Sequence, residues 1–574
     1  MNKKNLIATA AFLAAVGAVQ VTRLAADDDK ERGREHSFEF KEDSLVLSRS
    51  VYVGTAATVT PGQTLPPGCV AGTVNVPLLA GGTAKVKVSC AAAADNGEYP
   101  NLNDSHNVWN NDGPDGSFGV TSPIFLDNIT TGGKLLDTLA IPTDQLVTSF
   151  SSKSELAVNR STDGKSITLV GYHGGPGFVT AANQLDVSNS NTPGVVDPTN
   201  PVVTSYYRAV AELDARGHMT FTDGNAYSGN NGRAAIKADS LYYLAGNDNN
   251  GGLSSGQLTG TQIGVNLIRS TGAELLVPTQ VPPTPPNINM IGDFEVTQVG
   301  FAKADKAGKD NNFRGLTIFN HTLYYTKGSG GNGINTVYQA GNAGVLPTPS
   351  NAPGTPPSLE NVPITILPGF PNTLASGAAQ DGTTGHPVMF PFGIWFANAE
   401  TLYVCDEGDG TLVTPARTIN GQPNVADDAA LATAGIQKWH FDNGAWHMLY
   451  VLQNGLNIGV PYRVANYPAS LNPATGGCRN LTGRVGEDER VTLFAITSTI
   501  SANGDQGADP NKLVRVTDLL QATSLPTDDG DQDRDERIGQ FVTIRAAQAG
   551  EVLRGISFAP REHGDDDRGD RDRD

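Results

Sequence analysis

Four arginines recur at one position of an internal repeat: Arg233, Arg314, Arg479 and Arg554, with Ser154 and Phe392 in the other two copies. Each stands just before a short apolar run that a polar turn joins to a second apolar run. A guanidinium presents its donors in a planar fork that matches carboxylate or phosphate. If each repeat opens on its innermost strand, the four arginines converge on one ring, and the chemistry is recognition of a small anionic ligand. The plainer reading is that each arginine pairs with an acid of the neighbouring copy and locks the copies together. Two copies share an Asn-Asn-x-Arg pattern, at Asn230–Arg233 and Asn311–Arg314. Asparagine tolerates the left-handed backbone of tight loops, and its amide could also face a ligand.

Oxygen ligands on loops are the second candidate chemistry. Asp406, Glu407 and Asp409 lie in one Gly-punctuated loop, and a similar run spans Asn503 to Asp509. Such loops suit calcium, which is the candidate cofactor, although Asp-Gly and Asn-Gly are also ordinary turn material. The run from Asp529 to Asp535 fails as an EF-hand loop, with Arg534 where glycine is needed and Gln540 where a carboxylate is needed. His173, in a Gly-rich loop past a strand, is a single acid/base candidate. His-Glu-x-x-His and the P-loop are missing, so catalytic residues stay unassigned and the question of an enzyme stays open.

The elements that would hold these residues follow from the repeat. Copies begin near Ser154, Arg233, Arg314, Phe392, Arg479 and Arg554, spaced by roughly eighty residues. Each opens with a hairpin pattern, and Asp163-Gly164 is a strong turn signal. The fourth of these continues with Gly435–Phe441, the turn Asp442-Asn443-Gly444, and Ala445–Leu452, so one period supplies four strands. The expectation is an all-β propeller of six, alternatively seven, four-stranded blades. The last copy supplies only an inner strand. Ser44–Val53, Pro123–Ile129 and Lys134–Pro142 resemble the three it lacks, so N- and C-terminal strands are expected to share a blade. Residues 44–560 form this body, and Thr55–Asp95 reads as a small β insertion.

Met1 to Ala26 reads as a secretory signal, with Lys3 and Lys4 ahead of an Ala-rich apolar run too short for a confident span. The expected location is secreted or periplasmic, in a bacterium, with no integral membrane span after signal removal. An even number of cysteines in an exported chain suggests disulfides. Cys69, Cys90, Cys405 and Cys478 allow three pairings, and Cys69–Cys90 with Cys405–Cys478 is the favoured set.

The 574 residues carry a formal net charge of −19, which argues against nucleic acid. Much of this charge sits in 27–43, 528–537 and 561–574, which read as disordered runs. The 66 glycines and 35 prolines punctuate strands and loops, and exclude a coiled coil or helical bundle.

Ser149–Lys165, Asp186–Pro201, Ala226–Ile236, Asn311–Asn320, Phe392–Gly410 and Asn503–Val514 resemble a largely uncharacterised family of exported bacterial proteins. That resemblance implies a propeller-like fold from Ser44 to Pro560 and offers no catalytic residues to carry over. More distantly the repeats are similar to NHL and YVTN propellers, which host enzymes and binding scaffolds alike. The function expected is binding of a small anionic ligand or an extracellular macromolecule at the channel mouth. The alternative is a hydrolase or lyase acting on an anionic or lactone-like substrate.

Overall fold

The computed structural model describes the chain from Phe38 to Glu562, apart from loop stretches of which the longest are 100–118, 175–184, 248–264, 270–289, 294–311, 349–363, 373–388, 424–432 and 527–536. The signal segment, Asp409, Asp529–Asp535 and the chain beyond Glu562 lie outside the described residues.

Strands dominate; the described residues hold a single short 3-10 turn, Ala469–Leu471. Alternating apolar runs and left-handed turn residues account for the hairpins. Gly232–Ala238 pairs with Leu241–Gly246 around Asp239, and Phe313–Phe319 pairs with Thr322–Lys327 around Asn320 and His321. Gly435–Asp442 pairs with Ala445–Leu452 through Asn443 and Gly444, both at positive φ, as the Asn-Gly signal requires.

The arrangement is propeller-like, with five four-stranded blades. One blade joins the two chain ends: Glu551–Phe558, Leu45–Val51, Ile124–Ile129 and Leu135–Ala140 lie side by side, with Leu45 opposite Phe558. The expectation of six or seven four-stranded blades is corrected. The second sheet in sequence holds six strands, because its innermost strand is only Asn159–Arg160. Leu146–Ser149 takes the rest of that edge, pairing with Tyr172 and His173, and carries Thr121–Ser122 beyond it.

The sheets follow one another round a closed ring. Ala157 N donates to the Arg233 carbonyl (3.3 Å), Arg233 Nη1 to the Phe313 carbonyl (2.8 Å), and Asn480 Nδ2 to the Arg554 carbonyl (2.6 Å). Thr326 Oγ1 donates to the Phe392 carbonyl (2.6 Å) and Ser48 Oγ to that of Leu156 (2.7 Å), and glycines allow close approach at these seams. A Cβ on Gly315 would stand 1.8 Å from the Phe392 carbonyl oxygen, on Gly393 2.6 Å from that of Arg479, and on Gly555 2.4 Å from that of Leu156. Apolar clusters fill the spaces between neighbouring sheets, such as Ala234, Tyr243, Phe313, Tyr325 and Tyr338 in one and Tyr403, Cys405, Cys478, Leu493 and Val516 in another.

Before Ser44, Phe40 is already in the core, edge-to-face with Phe38. The insertion holds Gly72–Pro77 paired with Thr83–Val88, and the Cys69–Cys90 disulfide closes it. The second disulfide is a correction: Cys405 and Cys478 are free thiols, both fully buried. They lie on strands of adjacent blades and hydrogen bond to each other, while the Cys478 thiol donates to the Gly435 carbonyl at 3.0 Å. Burial pushes the Cys405 thiol well up, which keeps it unreactive.

Two outcomes test this packing. Gly315→Ala should cost roughly 3 kcal/mol in denaturant unfolding, whereas Gly72→Ala, with open space around it, should cost little. Thiol titration should find none reactive in the native protein and two per chain after denaturation; zero after denaturation would mean a Cys405–Cys478 bond.

Candidate functional site

The arginines are placed by a shared local irregularity. In every four-stranded blade the pairing of the innermost strand slips at the same place: between Gly232 and Ala234, Phe313 and Leu316, Pro391 and Ile394, and Cys478 and Leu481. In the closing blade Arg554 and Gly555 bulge opposite Ser48. A bulge re-aims a side chain out of the ladder's alternation. All four arginines are buried, at 3–5% exposure.

Arg314 and Arg554 bond one segment, Phe150–Leu156, which runs between the two short inner strands of the six-stranded sheet, and Arg479 reaches its Lys153 through Glu407. Arg554 donates to the Phe150 and Ser152 carbonyls and, through Nε, to Ser50 Oγ (3.1 Å). Arg314 Nη1 donates to Ser154 Oγ (2.6 Å). Asn231 Nδ2 donates to Ser152 Oγ (2.8 Å) and Glu155 Oε1 (3.3 Å). Lys153 Nζ lies 3.4 Å from Glu407 Oε1, whose partner oxygen accepts from Arg479 Nε at 3.0 Å. Arg233 donates to Asn312 Oδ1 and stands beside Arg314. The Asn-Asn-x-Arg pattern is thus structural: Asn231 grips the segment and Asn312 receives the preceding blade's arginine.

The arginines therefore do bridge sheets, Arg479 through a carboxylate and the others through carbonyl, hydroxyl or amide oxygens. Glu155 accepts from Thr148 Oγ1, Ser149 N (3.1 Å) and Tyr172 OH (2.9 Å). Two guanidinium nitrogens, Nε of Arg233 and Nε of Arg314, are buried without an acceptor.

The charges act strongly on one another. Burial pushes the Glu407 carboxyl up, but Lys153, Arg479 and Arg314 together outweigh it and hold the group at about 2. For Lys153, burial lowers the amine, Glu407 opposes, and Arg314 and Arg479 lower it again, to about 8. Burial raises Asp406 to about 8, against hydrogen bonds from Phe390 N and Gly408 N. Burial weighs against the charge of Arg314, at about 10, and of Arg233, with Arg314 as the next cause.

The loop read for calcium is built otherwise. Asp406 accepts from Phe390 N, Gly408 N and Gln437 Nε2, each at 2.9 Å, and Glu407 is held by Arg479 and Lys153. Among the described residues no three acidic, imidazole or thiol groups gather as a metal site. In the second loop Asp509 accepts from Tyr467 OH at 3.1 Å. His173 Nδ1 bonds Asp223 (3.0 Å) and is half-buried. Sequence reasoning placed the arginines but passed over Lys153 and Glu155. The signal lay in the two copies without arginine, since Ser154 accepts from Arg314 and the Phe392 ring lies 6.0 Å from its guanidinium carbon.

No protein-family model matches the chain, and no curated protein does either. Solved structures show weak likeness. The chain is similar to apo AztD from Citrobacter koseri, at 9% identity, 77% of this chain, 98% of that chain and a TM-score of 0.23. It is also similar to an ACO/RPE65 chimera (9% identity, 77% of this chain, TM-score 0.21) and to cobalt-substituted Synechocystis ACO (9%, 87%, TM-score 0.21). It spans 59% and 66% of those two chains. No helix among the described residues is long and apolar enough to cross a membrane.

Glu407→Gln should destabilise the protein by about 3–5 kcal/mol in chemical denaturation, because it leaves buried cations unpaired. Glu407's stabilisation is present above its ordinary 4.5 and lost as pH falls toward about 2, so this acid limb should vanish in the variant. Lys153 acts oppositely: its penalty stands below about 8 and is relieved as pH rises toward 10.5.

Proposed function

We propose that this is an exported propeller-like protein that binds a small anionic ligand at the ring where Arg233, Arg314 and Lys153 meet the Phe150–Leu156 segment. The observation that carries the reading is the pair of buried Nε–H groups on Arg233 and Arg314 that lack an acceptor. A buried donor without an acceptor costs free energy, more so on a charged group. A carboxylate or phosphate oxygen would satisfy both donors and offset local positive charge. Arg233, Arg314, Arg479 and Lys153 face Glu155 and Glu407, so positive charge is in excess there. Arg479 and Arg554 serve this site by holding its walls, through Glu407 and through the Phe150 and Ser152 carbonyls.

The test is a thermal melt with oxalate, citrate or inorganic phosphate. A ligand at a hundredfold excess over its Kd should stabilise by about 2.7 kcal/mol. Arg314→Gln should abolish the shift. No shift with any of the three anions, or an equal shift in the variant, would sink the reading.

A further inference from the structure

Lys153 differs from its neighbours on the axial segment. Ser152, Ser154 and Glu155 are all but sealed, whereas the Lys153 side chain keeps 29% of its surface exposed. Its amine is nonetheless fixed, 3.4 Å from Glu407 Oε1, and Glu407 is itself clamped by Arg479. Burial of the amine disfavours its added proton first; the Glu407 carboxylate opposes this, and the guanidiniums of Arg314 and Arg479 disfavour the proton further. An accessible amine held beside fixed positive charge is the arrangement that activates a lysine as a nucleophile.

We propose that Lys153 condenses with the carbonyl of a small 2-oxo acid to form an imine, with the acid's carboxylate received by Arg314. This rests on the anion-site reading, which supplies the carboxylate's place. The step balances without a redox partner. The Nζ lone pair attacks the carbonyl carbon and forms the C–N bond. The carbonyl oxygen takes two protons, one from nitrogen and one from solvent, and leaves as water, giving a protonated imine. Glu407 acts as a positioning residue, since it holds the amine and stays ionised throughout. Arg314 acts electrostatically on the Lys153 amine, and its Nη1 bonds Ser154, the next residue along.

The probe is glyoxylate with sodium cyanoborohydride, which delivers hydride to the imine and fixes it as a secondary amine. Full-length protein is treated at several pH values, then digested and mapped by mass spectrometry. Lys153 should be modified at least tenfold faster than exposed lysines such as Lys134, with a rate that rises through a midpoint near pH 8. Lys153→Arg should lose this fast phase, and oxalate, which carries no reactive carbonyl, should protect it in the wild type. Modification of Lys153 at or below the rate of exposed lysines overturns the imine proposal, whether or not Lys153→Arg folds. If oxalate still stabilises the protein in that case, the anion site stands alone; if it does not, both readings fall. Fast modification that oxalate leaves unprotected would remove Arg314 from the proposal and contradict it as stated.

Discussion

Positive charge taken out of water at the centre of the ring governs the rest of the molecule. Several kcal/mol are lost for each buried ion that lacks partners. Here Arg233, Arg314, Arg479 and Arg554 are all buried, with Lys153 beside them. The answer is the Phe150–Leu156 segment, whose carbonyls, hydroxyls and Glu155 side chain face inward, together with Glu407 from the blade that ends at Leu452. That segment occupies the inner edge of its own sheet. The sheet consequently has no full-length inner strand and gains Leu146–Ser149 and Thr121–Ser122 instead. The departure from a uniform set of blades and the chemistry of the centre thus share one cause.

The same economy operates along each inner strand. The bulge turns the arginine out of the ladder, and the glycine that follows Arg314, Phe392 and Arg554 lets the next inner strand approach to contact. Locking the blades and binding an anion are not competing roles in such a device. A guanidinium carries five donors, so it can hold a neighbour's carbonyl with one edge and keep Nε for another oxygen. Arg233 does the first with the Phe313 carbonyl, Arg314 holds the Ser154 hydroxyl likewise, and the Nε of each lacks an acceptor.

Much of this was legible beforehand where local physics decides. Asn443-Gly444 turns where its dipeptide must, the strand pairing of Leu45–Val51 with Glu551–Phe558 followed from a repeat cut short, and Cys69–Cys90 closes its short loop. What sequence could not supply is decided across the ring. Lys153 lies in a Ser-rich stretch with no periodicity, and its partner Glu407 is far away in sequence. Cys405 and Cys478 face each other across a blade interface, yet remain thiols in an apolar cluster. The acid-rich loop at Asp406 suggested calcium by composition. The Asp406 and Glu407 carboxylates are instead satisfied by backbone N–H groups, an amide and two cations, which only the fold reveals.

The central claim is that charge buried at the ring's centre holds the sheets together through specific partners. A double-mutant cycle between Glu407→Gln and Arg479→Gln, read by equilibrium unfolding, tests it most directly. These two side chains are 3% and 4% exposed and 3.0 Å apart. The account predicts a coupling energy of about 2 kcal/mol or more, with the double variant less damaged than the two single losses combined. Strictly additive losses, with coupling near zero, would contradict it.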